Sequence, residues 1–228
     1  YGILHDLPLH TLKLDGAHLI KRNPVFYNPS LSTLAYLWQS ETDHLNPFEK
    51  FEQRAVFGDS RNNLENAKIE ARAIAEKLGV KAVIGEEVTK IKFVEAMKKM
   101  NMIHLAGYGE LSNMDGLKSR LFMAGEKDLL ATDLFSIESK TRLMILSGCE
   151  TGLSEYRIGD ELMGMVRGFL FSGIKSLIVS QWKVNDNSTK LLFDDVYTNL
   201  INEDREALVM ILQKAKLNLL GKKDYESF

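Results

Sequence analysis

Five short apolar runs, at residues 55–57, 80–84, 102–106, 143–146 and 176–180, constrain this chain more than any other feature. Each is strand-sized. Amphipathic stretches stand between them: Leu64, Ala67, Ala71, Ile74, Ala75 and Leu78 recur at helical spacing after the first run, and Phe93, Val94 and Met97 after the second. Leu162, Val166, Phe169 and Leu170 do the same after the fourth. A strand without a polar face must be covered on both sides, and helices in the crossovers supply that cover. The pattern predicts an α/β sandwich with a mostly parallel central sheet flanked by helices.

Local signals set the expected boundaries. Asn62 and Glu65 have capping-box spacing, and Gly79 closes the helix they open. Thr89 is the expected N-cap of a helix running to about Met100, and Thr132 of a shorter one. A hairpin is expected around residues 121–124 with its turn at Gly125-Glu126. A helix over 159–172 stops at Gly173, and helices over 188–201 and 204–220 finish the chain. Before residue 48, which holds all four prolines, the reading is extended and loop-rich: short runs at 17–20, 25–27 and 31–38, a helix-initiating turn at Asn28-Pro29-Ser30, then a surface loop over 45–53.

Composition removes several classes of function. Twenty-nine basic residues against thirty-one acidic ones leave a net charge of −2, so no basic field holds nucleic acid or an anionic membrane directly. No stretch has the apolar length of a membrane helix. Tyr1–His10 has neither the basic flank nor the apolar run of a signal peptide. The only cysteine, Cys149, excludes an internal disulfide and a cysteine-built zinc site, and points to a reducing, cytoplasmic setting. Gly107 and Gly109 do not make a dinucleotide fingerprint, and no Walker A lysine motif occurs, so no cofactor is expected. The 228 residues read as a single domain. The absence of an initiator methionine suggests a piece cut from a longer protein.

In parallel sheets ligands gather beyond the carboxyl ends of the strands. That rule selects three loops, 107–109, 147–152 and 181–186, and Cys149 lies in the second. A nucleophilic cysteine needs an exposed sulfur near backbone N–H groups, and a strand end supplies both. A buried filler cysteine is the equal alternative from position alone. Of the five histidines, His5, His10, His18 and His44 lie in the early segment with no motif around them, and His104 sits inside an apolar run.

Three stretches carry a resemblance. His104-Leu105-Ala106-Gly107-Tyr108-Gly109, Leu146-Ser147-Gly148-Cys149-Glu150-Thr151-Gly152 and Ser180-Gln181-Trp182-Lys183-Val184-Asn185-Asp186 resemble the motifs of the CHAT domain, a caspase- and separase-like family of the clan CD cysteine peptidases. The family's versions run His-x-Ala-x-His-Gly, Leu-Ser-Ala-Cys-Glu-Thr-Gly and Ser-x-Trp-x-Val-x-Asp. The resemblance extends to Leu4-His5-Asp6-Leu7-Pro8-Leu9 and to Gly159-Asp160-Glu161-Leu162, and so covers nearly the whole chain, with an opening element of the domain expected to be missing. It implies a caspase-like sandwich, Cys149 as nucleophile, Gly109 as a donor to an oxyanion, and Trp182 and Asp186 at the substrate. Asp186 would face a basic side chain before the scissile bond; its alternative role is a cap on the helix from residue 187. The family also implies a protein substrate or partner protein, and often tetratricopeptide repeats in the same chain, with some members in bacterial defence.

One departure dominates. The family's catalytic histidine falls on Tyr108. A tyrosine side chain titrates near pH 10, so on the order of one in a thousand is ionised at pH 7. Losing general acid–base help costs roughly 10²–10⁴-fold. His104 lies four residues earlier, about 13 Å along a strand, too far to stand in. The expectation is a weak or inactive peptidase with its nucleophile in place, or else a pseudopeptidase used as a binding or scaffolding module.

Overall fold

The computed structural model describes residues 8–41, 51–110, 116–147, 159–180, 186–202 and 207–222. In chain order it begins with β1 (Lys13–Leu14), β2 (Ala17–His18), α1 (Leu19–Arg22) and α2 (Leu31–Glu41). There follow β3 (Arg54–Gly58), α3 (Glu65–Leu78), β4 (Ala82–Ile84), α4 (Lys90–Lys99), β5 (Met102–Ala106), β6 (Gly109–Glu110), β7 (Arg120–Leu121), β8 (Leu129–Leu130) and α5 (Ala131–Leu134). The chain continues through β9 (Leu143–Ser147), α6 (Gly159–Phe171), β10 (Ser176–Val179), α7 (Asp186–Asn202) and α8 (Leu208–Leu220). Two compact units result. One takes the described residues from Phe51 to Asp186, the other those before Phe51 and from Asn187 onward.

The first unit is the α/β sandwich that the apolar runs predict. Its central sheet has the order β10-β9-β5-β3-β4, with every neighbouring pair parallel. The chain goes from β3 out to β4, then crosses back to β5 on the other side of β3 and continues outward. The order therefore reverses between β3 and β5, and their carboxyl ends flank the crevice where such sheets bind ligands.

Side chains alternate between the faces of the sheet. Phe57, Ile103, Leu105, Met144 and Leu146 share one face and are buried with Phe93 and Met97 of α4, Leu134 of α5 and Met165 and Phe169 of α6. Each such side chain contributes about 1.5–3 kcal/mol by leaving water. Helix α3 lies on the opposite face and buries Ala71, Ile74, Ala75 and Leu78. It can approach because Gly58 has no side chain: a Cβ there would stand 2.5 Å from the Ala71 Cβ. A smaller antiparallel sheet, ordered β6-β7-β8, follows β5 and contains the expected hairpin, with Gly125 at φ 86° in its turn.

Several local expectations hold. Gly79 ends α3 in left-handed backbone at φ 67°. The Thr89 hydroxyl accepts the Lys92 N–H at 3.3 Å, capping α4. Ser30 Oγ accepts the Thr33 N–H at 3.0 Å and opens a helix, α2, where residues 31–38 were expected to be extended. Residues 25–27 form no strand, and β2 ends at His18 because α1 starts at Leu19.

Three caps differ from expectation. Asn62 adopts φ 55°, outside the extended region an N-cap needs, so the Asn62–Glu65 capping box does not form. Leu64 takes the N-cap position without a side-chain bond, and Asp59 Oδ1 instead accepts the N–H groups of Asn63 and Leu64, in the turn ahead of the helix, at 2.8 and 2.9 Å. Thr132 lies inside α5, whose N-cap position is Leu130, still extended from β8. Asp133 reaches back to accept the Leu130 N–H at 2.8 Å. Helix α7 starts at Asp186, not at residue 187.

The second unit has its own small core of Val196, Ile211 and Ala215, packed by Leu192, Leu200 and Leu212. The Gln213 amide donates to the Ile20 carbonyl at 2.7 Å, tying α8 to α1.

Candidate functional site

Tyr108 stands just past the end of β5, and Ser147 ends β9 beside it. The Gly107 N–H donates to the Ser147 carbonyl at 3.0 Å, carrying the β5·β9 pairing beyond Ala106. The segments leading to Tyr108 and to Gly148-Cys149 thus leave the sheet side by side. Cys149 and Trp182 lie outside the described residues, and Asp186 is located only as the first residue of α7.

Gly109 is fixed by β7. It pairs with Leu121 antiparallel, and a Cβ at Gly109 would lie 2.3 Å from the Arg120 carbonyl oxygen. No other residue fits without moving backbone. The Phe122 N–H donates to the Tyr108 carbonyl at 3.1 Å. In an antiparallel ladder that bond makes Gly109 and Leu121 a pair that exchanges no hydrogen bond. The trans peptide points the Gly109 N–H opposite to the Tyr108 carbonyl, away from β7. Gly109 therefore offers its N–H on the side facing away from its partner strand.

Tyr108 is half-buried and engaged. Its hydroxyl accepts from the Asn63 amide at 3.1 Å, and its ring meets Phe122 edge-on at 4.8 Å. Arg61 and Arg120 lie over the Phe122 ring at 5.3 and 5.5 Å. Arg61 bonds Asp128 at 2.6 Å, while Arg120 pairs with Glu110 through Nε at 2.9 Å and lies 3.8 Å from Asp128. Among these described side chains the two guanidiniums and two carboxylates offset one another. Asp59, Ser60, Arg61, Asn63 and Phe122 went unnoticed as site residues in the sequence. The only signal was the polar run Asp59–Asn63 directly after an apolar strand.

His104 is fully buried on the α3 face of β5, with Nε2 3.1 Å from Glu70 Oε1 of α3, close enough for an ion pair but off the angle of a hydrogen bond. It belongs to the sheet–helix contact and not to the strand-end crevice. His18 Nδ1 contacts the Thr11 carbonyl at 2.7 Å, and His10 Nδ1 the Tyr27 hydroxyl at 3.1 Å. Burial first, then the Lys216 charge, lowers His10 to about 4, and burial lowers Lys216 as well. His5 and His44 lie outside the described residues. Among the described residues no cluster of His, Cys, Asp and Glu could hold a metal ion, and no helix is long and apolar enough to cross a membrane.

Comparison with known proteins identifies the family. Human tetratricopeptide repeat protein 28 is 20% identical over 239 aligned positions, which cover 89% of this chain but 9% of that protein. The CHAT domain family model matches residues 1–227. With a parallel caspase-like sheet and a match over nearly its full length, the chain belongs to the CHAT domain family, within the caspase-like peptidase superfamily.

Proposed function

We propose that this chain is a CHAT-type cysteine peptidase domain that cleaves a protein partner, and that it is weak or inactive as written because Tyr108 occupies the position of the general base. In this reading Cys149 attacks the scissile carbonyl and the Gly109 N–H stabilises the resulting oxyanion. Trp182 and Asp186 line the substrate pocket, with Asp186 facing a basic side chain. The observation that supports it best is the Gly107–Ser147 bond, which brings the approach to Tyr108 and the approach to Cys149 out of the sheet together. The match to a tetratricopeptide repeat protein supports a domain that works attached to such repeats, and the single cysteine fits a reducing, cytoplasmic setting.

A second reading has its own support. The Tyr108 hydroxyl bonded to Asn63 and its ring against Phe122 make a position fitted to tyrosine, as a pseudopeptidase with a binding or scaffolding role would have.

Tyr108→His separates the two. Cleavage of a protein panel, followed by mass spectrometry, is expected to rise at least about 10²-fold, with faster alkylation of Cys149. In that background Asp186→Ala removes the preference for Arg or Lys before the cut. No gain in cleavage or alkylation sinks the peptidase reading and leaves the scaffold.

A further inference from the structure

The Ser60 hydroxyl is buried, 4% exposed, just after β3. It donates to the Phe122 carbonyl at 2.6 Å, across 62 residues of sequence. Phe122 passes the connection on, since its own N–H holds the Tyr108 carbonyl at 3.1 Å. Three segments are linked in series: the exit of β3, the residue after β7, and the peptide joining Tyr108 to Gly109.

The geometry points to Ser60 as a positioning residue that acts through Phe122 on the Tyr108–Gly109 peptide; this rests on the reading of Gly109 as an oxyanion donor. A planar trans peptide turns as a unit, so a grip on the Tyr108 carbonyl also aims the Gly109 N–H. An oxyanion donor is useful only if it is already aimed where charge develops, and small displacements there are expensive. Gly109 cannot supply that rigidity through a side chain. Phe122 can, because both of its backbone polar groups are taken and its ring lies under Arg61 and Arg120 and against Tyr108. Arg61 bonds Asp128, which also accepts the Met123 N–H at 3.0 Å through the same Oδ1, so the residue after Phe122 is tied to the same rim. Ser60 closes the assembly on the β3 side of the crevice. The bracing lies where strand order reverses, just past the last rungs of the β3·β5 ladder, and carries the connection beyond the point where that ladder ends.

Ser60→Ala tests this in two chains. In the native chain, hydrogen exchange of peptides covering residues 107–123 is expected to quicken about tenfold, with the thermal midpoint little changed. Ser60→Thr, which keeps the hydroxyl, is expected to restore slow exchange. In the Tyr108→His chain, Ser60→Ala is expected to lower kcat for cleavage about tenfold with KM nearly constant. Alkylation of Cys149 passes through no oxyanion and is expected to be unaffected. Unchanged exchange overturns the assignment whether or not the domain is a peptidase. So does a parallel fall of cleavage and alkylation, which is the signature of general loosening. A Tyr108→His chain that never cleaves counts against the peptidase reading, and the exchange result then decides the bracing by itself.

Discussion

The two faces of the central sheet are built from different kinds of residue. Phe57, Ile103, Leu105, Met144 and Leu146 bring no polar side-chain atom to the first face. The second carries His104 against Glu70, and Ser147, whose buried Oγ has no hydrogen-bond partner among the described residues. Burying a polar atom without a good partner costs about 1–3 kcal/mol, whereas an apolar side chain of similar size in its place is favourable. The first face is thus explained by packing alone. The second keeps polar groups that packing would discard, and Ser147 sits two residues before Cys149.

Mutations can break or sharpen that contrast. The largest effect is expected on the apolar face: Phe57 is 2% exposed and stacks edge-on with Phe93 at 5.2 Å, so Phe57→Ala should cost about 3–5 kcal/mol, read from the urea midpoint. On the polar face Glu70→Ala should cost less, about 1–3 kcal/mol, and lose most of that effect in a His104→Leu background. Additive losses in that cycle would show that the pair is not coupled.

The last effect, confined to acidic pH, belongs to a histidine in the other unit. His10 titrates at about 4 when folded, against 6.5 ordinarily. Between those values the unfolded chain binds a proton that the folded chain refuses, so stability falls as pH drops from about 6.5 toward 4 and is flat above that window. His10→Gln should remove this slope from thermal midpoints measured across the window; an unaltered slope would assign it elsewhere.

What the sequence disclosed divides along the same line. The apolar strands, the Gly79 stop and the Thr89 cap depend on neighbours a few residues away, and periodicity reveals them. Residues 31–38 misled because leucines and aromatics suit strands and helices alike, and the Ser30 cap decides between them. Nothing local marks Asp59 as the acceptor that holds the turn ahead of α3, since Asn62 leaves extended backbone at a turn the sequence does not display. Ser60 meets Phe122 and His104 meets Glu70 only after folding, and Arg61 finds Asp128 only then as well. The three strand-end loops could be singled out as a candidate site because sheet topology dictates where a site opens. The bracing behind them could not, because it is made of long-range pairs with no spacing rule.

The strand order also has a history written into it. Strands β3, β4 and β5 are complete by residue 106, while β9, which covers the outer edge of β5, begins roughly forty residues later. On a ribosome adding about 5–20 residues per second, that edge stands uncovered for some seconds. Its open backbone groups can then recruit a strand from another nascent chain. The side of β5 that will later pair with β9 is, during synthesis, open to a wrong partner.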